Sequence, residues 1–259
     1  MNKLVIGNWK MHGSPADLWD LAHAVQRDGL ACDAAVCVPF PLLPAAHSAL
    51  QASPLRWGAQ DCSVHAGGAH TGEVSAELIA RLGARYVIVG HSERRVALGE
   101  SDALVAEKAH RVLAAGMTPV VCIGETSAER DANETATVLK RQLAPLARVL
   151  GRALSAVVLA YEPVWSIGSG DAAAPGVIAD TLGLIERTLH FQAGMHQGAM
   201  RVLYGGSVNP RNAAAIMACP GVDGVLVGGA SLHPADFLDI CRAARRMAND
   251  REMVVIQGS

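Results

Sequence analysis

Eight short apolar runs recur along the chain: LVIGN from Leu4, AAVCVPF from Ala34, LRWGAQ from Leu55, YVIVG from Tyr86, TPVVCIG from Thr118, AVVLAY from Ala156, MRVLYGG from Met200 and DGVLVGG from Asp223. Each is nearly unbroken in Val, Ile, Leu and Ala, the pattern of a strand buried on both faces. Between them lie segments whose apolar positions follow a helical period, such as SDALVAEKAHRVLAAG, GVIADTLGLIERTLHF, RNAAAIMAC and PADFLDICRAARRMA. Strand alternating with helix, eight times, predicts a (β/α)8 barrel. A doubly wound open sheet is the alternative. It usually has fewer strands and carries a glycine-rich nucleotide loop after the first one, where this chain has GNWK. No linker-like stretch interrupts the repeat, so one domain is expected over 1–248. The stretch NDREMVVIQGS, 249–259, falls outside the repeat and reads as an unstructured tail or an expression remnant.

Composition sharpens this picture. The 259 residues are 51% apolar and 18% charged, with only three Tyr and three Phe, which suits a parallel sheet packed with small aliphatic side chains. The net charge of −2 and the lack of basic runs argue against nucleic acid or an anionic membrane as partner. No apolar stretch approaches the length of a membrane span, and MNKLVIGNWKM has no signal-peptide core. The six cysteines, with no CxxC pair and no metal-like spacing to His, read as reduced thiols of a cytoplasmic protein without a metal site.

In such a barrel the chemistry sits at the C-terminal ends of the strands. Asn8 and Lys10 follow the first strand, His91 the fourth and Glu162 the sixth. The seventh and eighth end in Gly205-Gly206-Ser207 and Gly228-Gly229. Each has a plain reading: a surface lysine, a helix-start histidine, a strand meeting water, a set of tight turns. Their convergence on one rim points to a site instead. Ser207 and Gly228–Gly229 occupy the place where these barrels commonly bind phosphate, and bared backbone amides attract a phosphate dianion.

The motifs GNWKM, VGHSERR, CIGET, AYEPVW-IG-G, YGGSV and DG-LVGGASL occur in that order. With them the chain resembles the triosephosphate isomerase family from about residue 3 to about residue 247. The resemblance implies a single (β/α)8 TIM barrel of a cytoplasmic homodimer. Its activity would be the interconversion of dihydroxyacetone phosphate and D-glyceraldehyde 3-phosphate in glycolysis and gluconeogenesis, without metal or organic cofactor. Carried across motif by motif, Glu162 is the base, His91 the electrophile that shuttles protons between two oxygens, and Lys10 the cation that offsets enediolate charge. Asn8 and Lys10 contact substrate, while Gly168, Ser207, Gly228 and Gly229 contact its phosphate. Pro163, Val164, Trp165, Ser166, Ile167 and Gly168 belong to a lid, PVWSIGSG, with Pro163 and Trp165 at one hinge. The segment HAGGAHTGEVS, 65–75, becomes an arm reaching a second subunit, with Thr71 at the dimer contact beside that subunit's first loop. That loop, bearing Lys10, is expected to need the partner to hold it rigid.

Physical chemistry supports these roles. An imidazole opening a helix feels the dipole's positive end and is biased towards its neutral form. A carboxylate in a closed apolar pocket gains basicity by desolvation. A lid keeps water from an enediol phosphate that would otherwise eliminate phosphate. Cys122, in CIGET, reads as a packing residue, Glu93 and Arg94 as ion-paired scaffold, and Glu73 as structural. The chain departs from the family at Met11-His12-Gly13, at His70, and at the far lid hinge, Asp171-Ala172-Ala173. Those departures bear on lid kinetics and dimer packing. Two other readings stay open. Another phosphate-binding barrel enzyme would not need Lys10, His91 and Glu162 in these contexts, and a catalytically dead barrel should lack one of them.

Overall fold

In the computed structural model, which describes residues 2–168, 171–194 and 200–244, eight parallel strands close into a barrel in sequence order. They are β1 Leu4–Asn8, β2 Asp33–Val38, β3 Arg56–Ala59, β4 Tyr86–Val89, β5 Thr118–Ile123, β6 Val158–Tyr161, β7 Arg201–Tyr204 and β8 Gly224–Val227. β8 pairs back onto β1, with Leu4 opposite Gly224, so no strand edge is left open. All eight expected strands are present. The run from Ala34 stops at Val38 because Pro39 has no amide hydrogen to offer, and the chain turns into a short 3₁₀ helix, Phe40–Leu42. The run from Ala156 starts two residues late, since Gly151–Ala156 is wound as another such helix. The tail 249–259 and the end of the expected domain lie outside the described residues.

The two-residue period of the strands sorts their side chains into two cores. Leu4, Ile6, Ala35, Cys37, Ile88, Val120, Cys122, Val158, Ala160, Leu203 and Leu226 fill the barrel interior. The alternate residues, among them Val5, Val36, Val87, Val121 and Leu159, pack outward against the helices. Helices Pro15–Asp28, Asp102–Ala114, Thr135–Leu150 and Pro175–Ala193 cover that outer face with Leu, Val, Ile and Ala. Their starts are set locally: Ser14 and Ser101 accept amide hydrogens from Asp17 and Leu104.

The inward parity is what places the chemistry. On β1 the series Leu4, Ile6 continues to Asn8. On β6 the series Val158, Ala160 continues to Glu162, just beyond the strand. Interior positions therefore run straight into the polar residues at the barrel's mouth.

Close approach of strands also has a requirement. A Cβ on Gly58, in β3, would stand 2.1 Å from the carbonyl oxygen of Tyr86 in β4, so backbone would have to shift to admit it. Gly58→Ala should cost about 3 kcal/mol, the upper end of overpacking costs. It would appear as a lower denaturant midpoint, and an unchanged midpoint would show that β3 and β4 separate without cost.

Candidate active site

Three strand ends and two turns meet over the barrel. Asn8 is 5% exposed, and its Oδ1 accepts the amide hydrogen of Lys10 at 3.0 Å. That bond holds Lys10 in the left-handed region, φ 51°, a conformation seldom adopted by a residue with a side chain and one that collects at functional sites. Between them Trp9 is buried, with its Nε1 donating to the carbonyl of Ser231 at 3.1 Å. The root of this loop, at Trp9, is thus held by its own barrel.

After β4, His91 caps the N-terminus of helix Ser92–Leu98, and its Nδ1 accepts the amide hydrogen of Glu93 at 3.2 Å. After β6, Glu162 is 2% exposed. Its Oε1 lies 3.0 Å from His91 Nε2, and its Oε2 accepts the amide hydrogen of Ser92 at 3.0 Å. Because Nδ1 already accepts, the proton between the two side chains belongs to Nε2. Ser92 escaped the reading of the sequence, although its signal was there. The residue after a helix cap has a free amide, and in GHSERR that residue is Ser92.

A cleft of about 320 Å³ brings these groups together with the glycine turns. Asn8, Lys10, His91, Glu162, Gly168, Ser207, Gly228 and Gly229 all line it, as do Ile167, Asn209 and Ala230. A Cβ on Gly229 would meet nothing within 4 Å, so its backbone lies open to the cleft. Thr71 is exposed on the loop that follows β3 and does not line this cleft; the same loop carries the stacked rings of His65 and His70, 3.5 Å apart.

The supports lie one layer out. Arg94 and Lys108 alternate with Asp61 and Glu100 in a closed ring of contacts between 2.6 and 2.7 Å, which binds the His91 helix to its neighbour. Arg95 donates to the carbonyls of Gly90 and Cys122 and pairs with Asp102, tying the ends of β4 and β5. Glu93 is ion-paired as expected, but its partner is Lys10 itself, Nζ to Oε1 at 2.5 Å. Cys122 is buried inside the barrel, and burial, followed by the nearby Glu162 charge, pushes its thiol well above the ordinary range.

Residues Val164–Ser166 form a 3₁₀ turn anchored on Glu125, which is fully buried. Trp165 Nε1 and Tyr161 Oη each donate to Glu125 Oε1 at 3.1 Å, and the Arg130 guanidinium lies 4.4 Å above the Trp165 ring. On the far side, the amide of Ala173 donates to Tyr204 Oη at 2.9 Å. A Cβ on Gly206 would fall 2.2 Å from Tyr204 Oη and 2.5 Å from Ser166 Oγ, so only glycine lets the turn pack here. Ser169 and Gly170 of PVWSIGSG lie outside the described residues.

Residues 3–244 match the family model described as triosephosphate isomerase. The chain belongs to the triosephosphate isomerase family. It is 49% identical over 243 residues to the triosephosphate isomerase of Azoarcus sp. (strain BH72), covering 93% of this chain and 99% of that one. The Bordetella pertussis triosephosphate isomerase is also 49% identical, over 93% of this chain and 97% of its own. A crystal structure of triosephosphate isomerase from Bartonella henselae superposes with a TM-score of 0.84 at 36% identity, covering 95% of this chain and all of that one. Membership in the triosephosphate isomerase family makes the chain an isomerase of triose phosphates in a (β/α)8 TIM barrel. Among the described residues no helix is long and apolar enough to cross a membrane, and no group of three or more His, Cys, Asp or Glu could hold a metal ion.

The protonation of the central pair departs from the simple expectation. Burial alone would raise the affinity of Glu162 for a proton. The facing imidazole and the Ser92 amide outweigh it and hold the carboxyl below its ordinary value. Burial likewise disfavours a charged His91, yet the Glu162 carboxylate pulls its proton affinity above the ordinary 6.5. The basicity expected from desolvation is therefore masked while the two are docked. The neutral bias of the helix start acts through Nδ1, where a second proton would have to displace the Glu93 amide.

Removing the charge but keeping the shape separates these effects. In Glu162→Gln the imidazole of His91 should bind its second proton less readily than in the wild type. A pH titration of the His91 ring nitrogens by NMR reads this directly. Equal behaviour in the two proteins would mean that the carboxylate does not govern the ring.

Proposed function

We propose that this cleft interconverts dihydroxyacetone phosphate and D-glyceraldehyde 3-phosphate through an enediolate, with Glu162 as the base and His91 as the electrophile. The observation that carries the reading is the contact between a buried carboxylate and an Nε2–H imidazole, 3.0 Å apart, at the wall of a glycine-lined cleft. A proton on carbon beside a carbonyl is barely acidic, so the negative charge must be met where it forms. The Nε2–H of His91 and the ammonium of Lys10 supply donors for the substrate oxygens. Asn8 fixes the position of Lys10. The open amides around Gly168, Ser207, Gly228 and Gly229 receive the phosphate. No cofactor is called on, because the reaction moves only protons.

To act, Glu162 leaves His91 Nε2 and the Ser92 amide and turns to the substrate carbon. That exchange of partners switches the base on. Docked, the carboxylate is held weakly basic by two donors. Turned away and still buried, it keeps the desolvation and loses the donors, and its basicity rises. The same exchange frees His91 Nε2 to donate to the substrate and relieves the ring of the carboxylate's pull. The lid, anchored at Glu125 and at Tyr204, closes over the pair and keeps water out.

Shortening Glu162 tests the base. Glu162→Asp withdraws the carboxylate by roughly 1 Å, a misplacement that costs on the order of a hundredfold in rate. Steady-state kinetics in a coupled assay should show kcat falling while KM changes little. An Asp variant turning over like the wild type would sink the assignment.

The assembly we favour is a cytoplasmic homodimer. Met11 is 93% exposed, Val96 75% and Leu98 64%. The Lys10–Glu93 pair joins the first loop, which bears Met11, to the helix that carries Val96 and Leu98. The exposed loop bearing Thr71 is the complementary arm. The cysteines of the described structure are all free, as a reducing cytoplasm would keep them. Thr71→Glu would bury a carboxylate in that contact and should favour monomers. Sedimentation and activity measured on the same dilution series give the outcome, and a monomer with full turnover would separate assembly from catalysis.

A further inference from the structure

The buried face of helix Thr135–Leu150 consists of Val138, Leu139, Leu143, Leu146 and Leu150, with one polar side chain, Gln142, set among them at 4% exposure. A side-chain amide on an apolar face is costly unless its ends are bonded. The ends of Gln142 both go to Gly124, 18 residues earlier. Its Oε1 accepts the Gly124 amide hydrogen at 2.8 Å, and its Nε2 donates to the Gly124 carbonyl at 3.0 Å. Gly124 follows β5 and runs against the backbone of the candidate base, for a Cβ on it would fall 1.8 Å from the carbonyl oxygen of Glu162. The peptide joining Ile123 to Gly124 is held at both polar ends. Its N–H goes to Gln142, and its carbonyl, on Ile123, receives the amide hydrogen of Glu162 at 2.7 Å. One residue on, the Glu125 carbonyl receives the amide hydrogen of Val164, in the first turn of the lid, at 3.1 Å. Packing alone does not fix this turn. A cavity of about 340 Å³ beside it is lined by Ser92, Gly124, Thr126, Gln142, Glu162 and Val164, which leaves turn and base room to shift on that side.

We propose that Gln142 is a positioning residue for the isomerisation: acting through the Gly124 peptide, its side-chain amide sets the place from which Glu162 takes the proton. This role stands on Glu162 being the base. Gln142 lines the cavity behind Glu162 and not the cleft in front of it, so it acts on the reaction only through the backbone. A side-chain amide carries a donor and an acceptor in one plane, which match the C=O and N–H of a single residue. Without that clamp the Ile123–Gly124 peptide is free to turn, its carbonyl moves, and the amide of Glu162 follows. A displacement of about 1 Å, arising far from the chemistry, costs on the order of a hundredfold in rate. The phosphate turns at Ser207, Gly228 and Gly229 follow β7 and β8 and are not joined to this relay, so substrate binding is spared.

The test compares two variants of the whole chain. Gln142→Met keeps the length of the side chain and removes both bonds, while Gln142→Glu keeps the acceptor and removes the donor. In a coupled assay kcat should fall roughly ten- to a hundredfold in both, with KM and the competitive inhibition constant of inorganic phosphate little changed. In a Glu162→Asp background the same substitutions should cost several-fold less, because the carboxylate is already out of place and the two effects share one cause. Wild-type kcat in the Gln142 variants, an equal loss in both backgrounds, or phosphate affinity lost along with rate overturns the positioning role. A Glu162→Asp variant of normal turnover sinks the base itself, whereas a slow one beside unaffected Gln142 variants sinks the clamp alone. One reading needs no variant to fold: the Gly124 amide of the wild type should exchange its hydrogen slowly by NMR, and exchange as fast as an exposed loop amide overturns the clamp.

Discussion

A carboxylate buried at the mouth of an apolar barrel has to be satisfied, and the arrangement around Glu162 follows from that need. Left unpaired, a buried charge costs several kcal/mol, and the group would take up a proton instead. Here two donors meet it, the Nε2–H of His91 and the amide of Ser92. Both come from the start of one helix, so β6 and the β4–helix junction must keep a fixed distance. The barrel imposes it, through the parity that carries Val158 and Ala160 on to Glu162 and through the pairing of β5 between β4 and β6.

The outer layer reads as the means of keeping that junction still. Arg94 and Lys108 share Asp61 and Glu100 in a closed ring, and Arg95 ties Gly90 to Cys122. Individual buried ion pairs give weak net stability, but losing one member strands the others. Such a ring is therefore better understood as fixing geometry than as adding stability. It holds the helix whose first amides serve the site, and it does so without touching the cleft.

Much of this was legible in the chain. The eight strands show as unbroken apolar runs because a parallel sheet is buried on both faces, and periodicity then places Asn8 and Glu162 on the inner side. Glycine turns after β7 and β8 show for the same reason that they work, since side chains are missing. What could not be read is pairing. Nothing in the sequence of Glu93 says that its partner is Lys10, and nothing in GHSERR says that the Ser92 amide receives Glu162. The basicity expected for Glu162 is masked on this account: desolvation is readable from an apolar neighbourhood, while the donors at His91 and Ser92 that oppose it arrive from about 70 residues away in the chain. The grip on the root of the first loop was hidden likewise, because Trp9 finds the Ser231 carbonyl only once β8 closes on β1.

The far lid hinge shows where a departure in sequence need not disturb the structure. Asp171-Ala172-Ala173 lacks the residues common in the family, yet the hinge is anchored by the backbone amide of Ala173 on Tyr204 Oη. A backbone donor is supplied by any residue except proline. The demanding position is instead on the tyrosine's side: Tyr204 Oη can accept from the Ala173 amide and also meet the Ser166 hydroxyl only because Gly206 leaves their space empty. The constraint on this hinge therefore lies in YGGSV rather than in the hinge residues, and substitutions in the lid are tolerated to the extent that they leave that hydroxyl free.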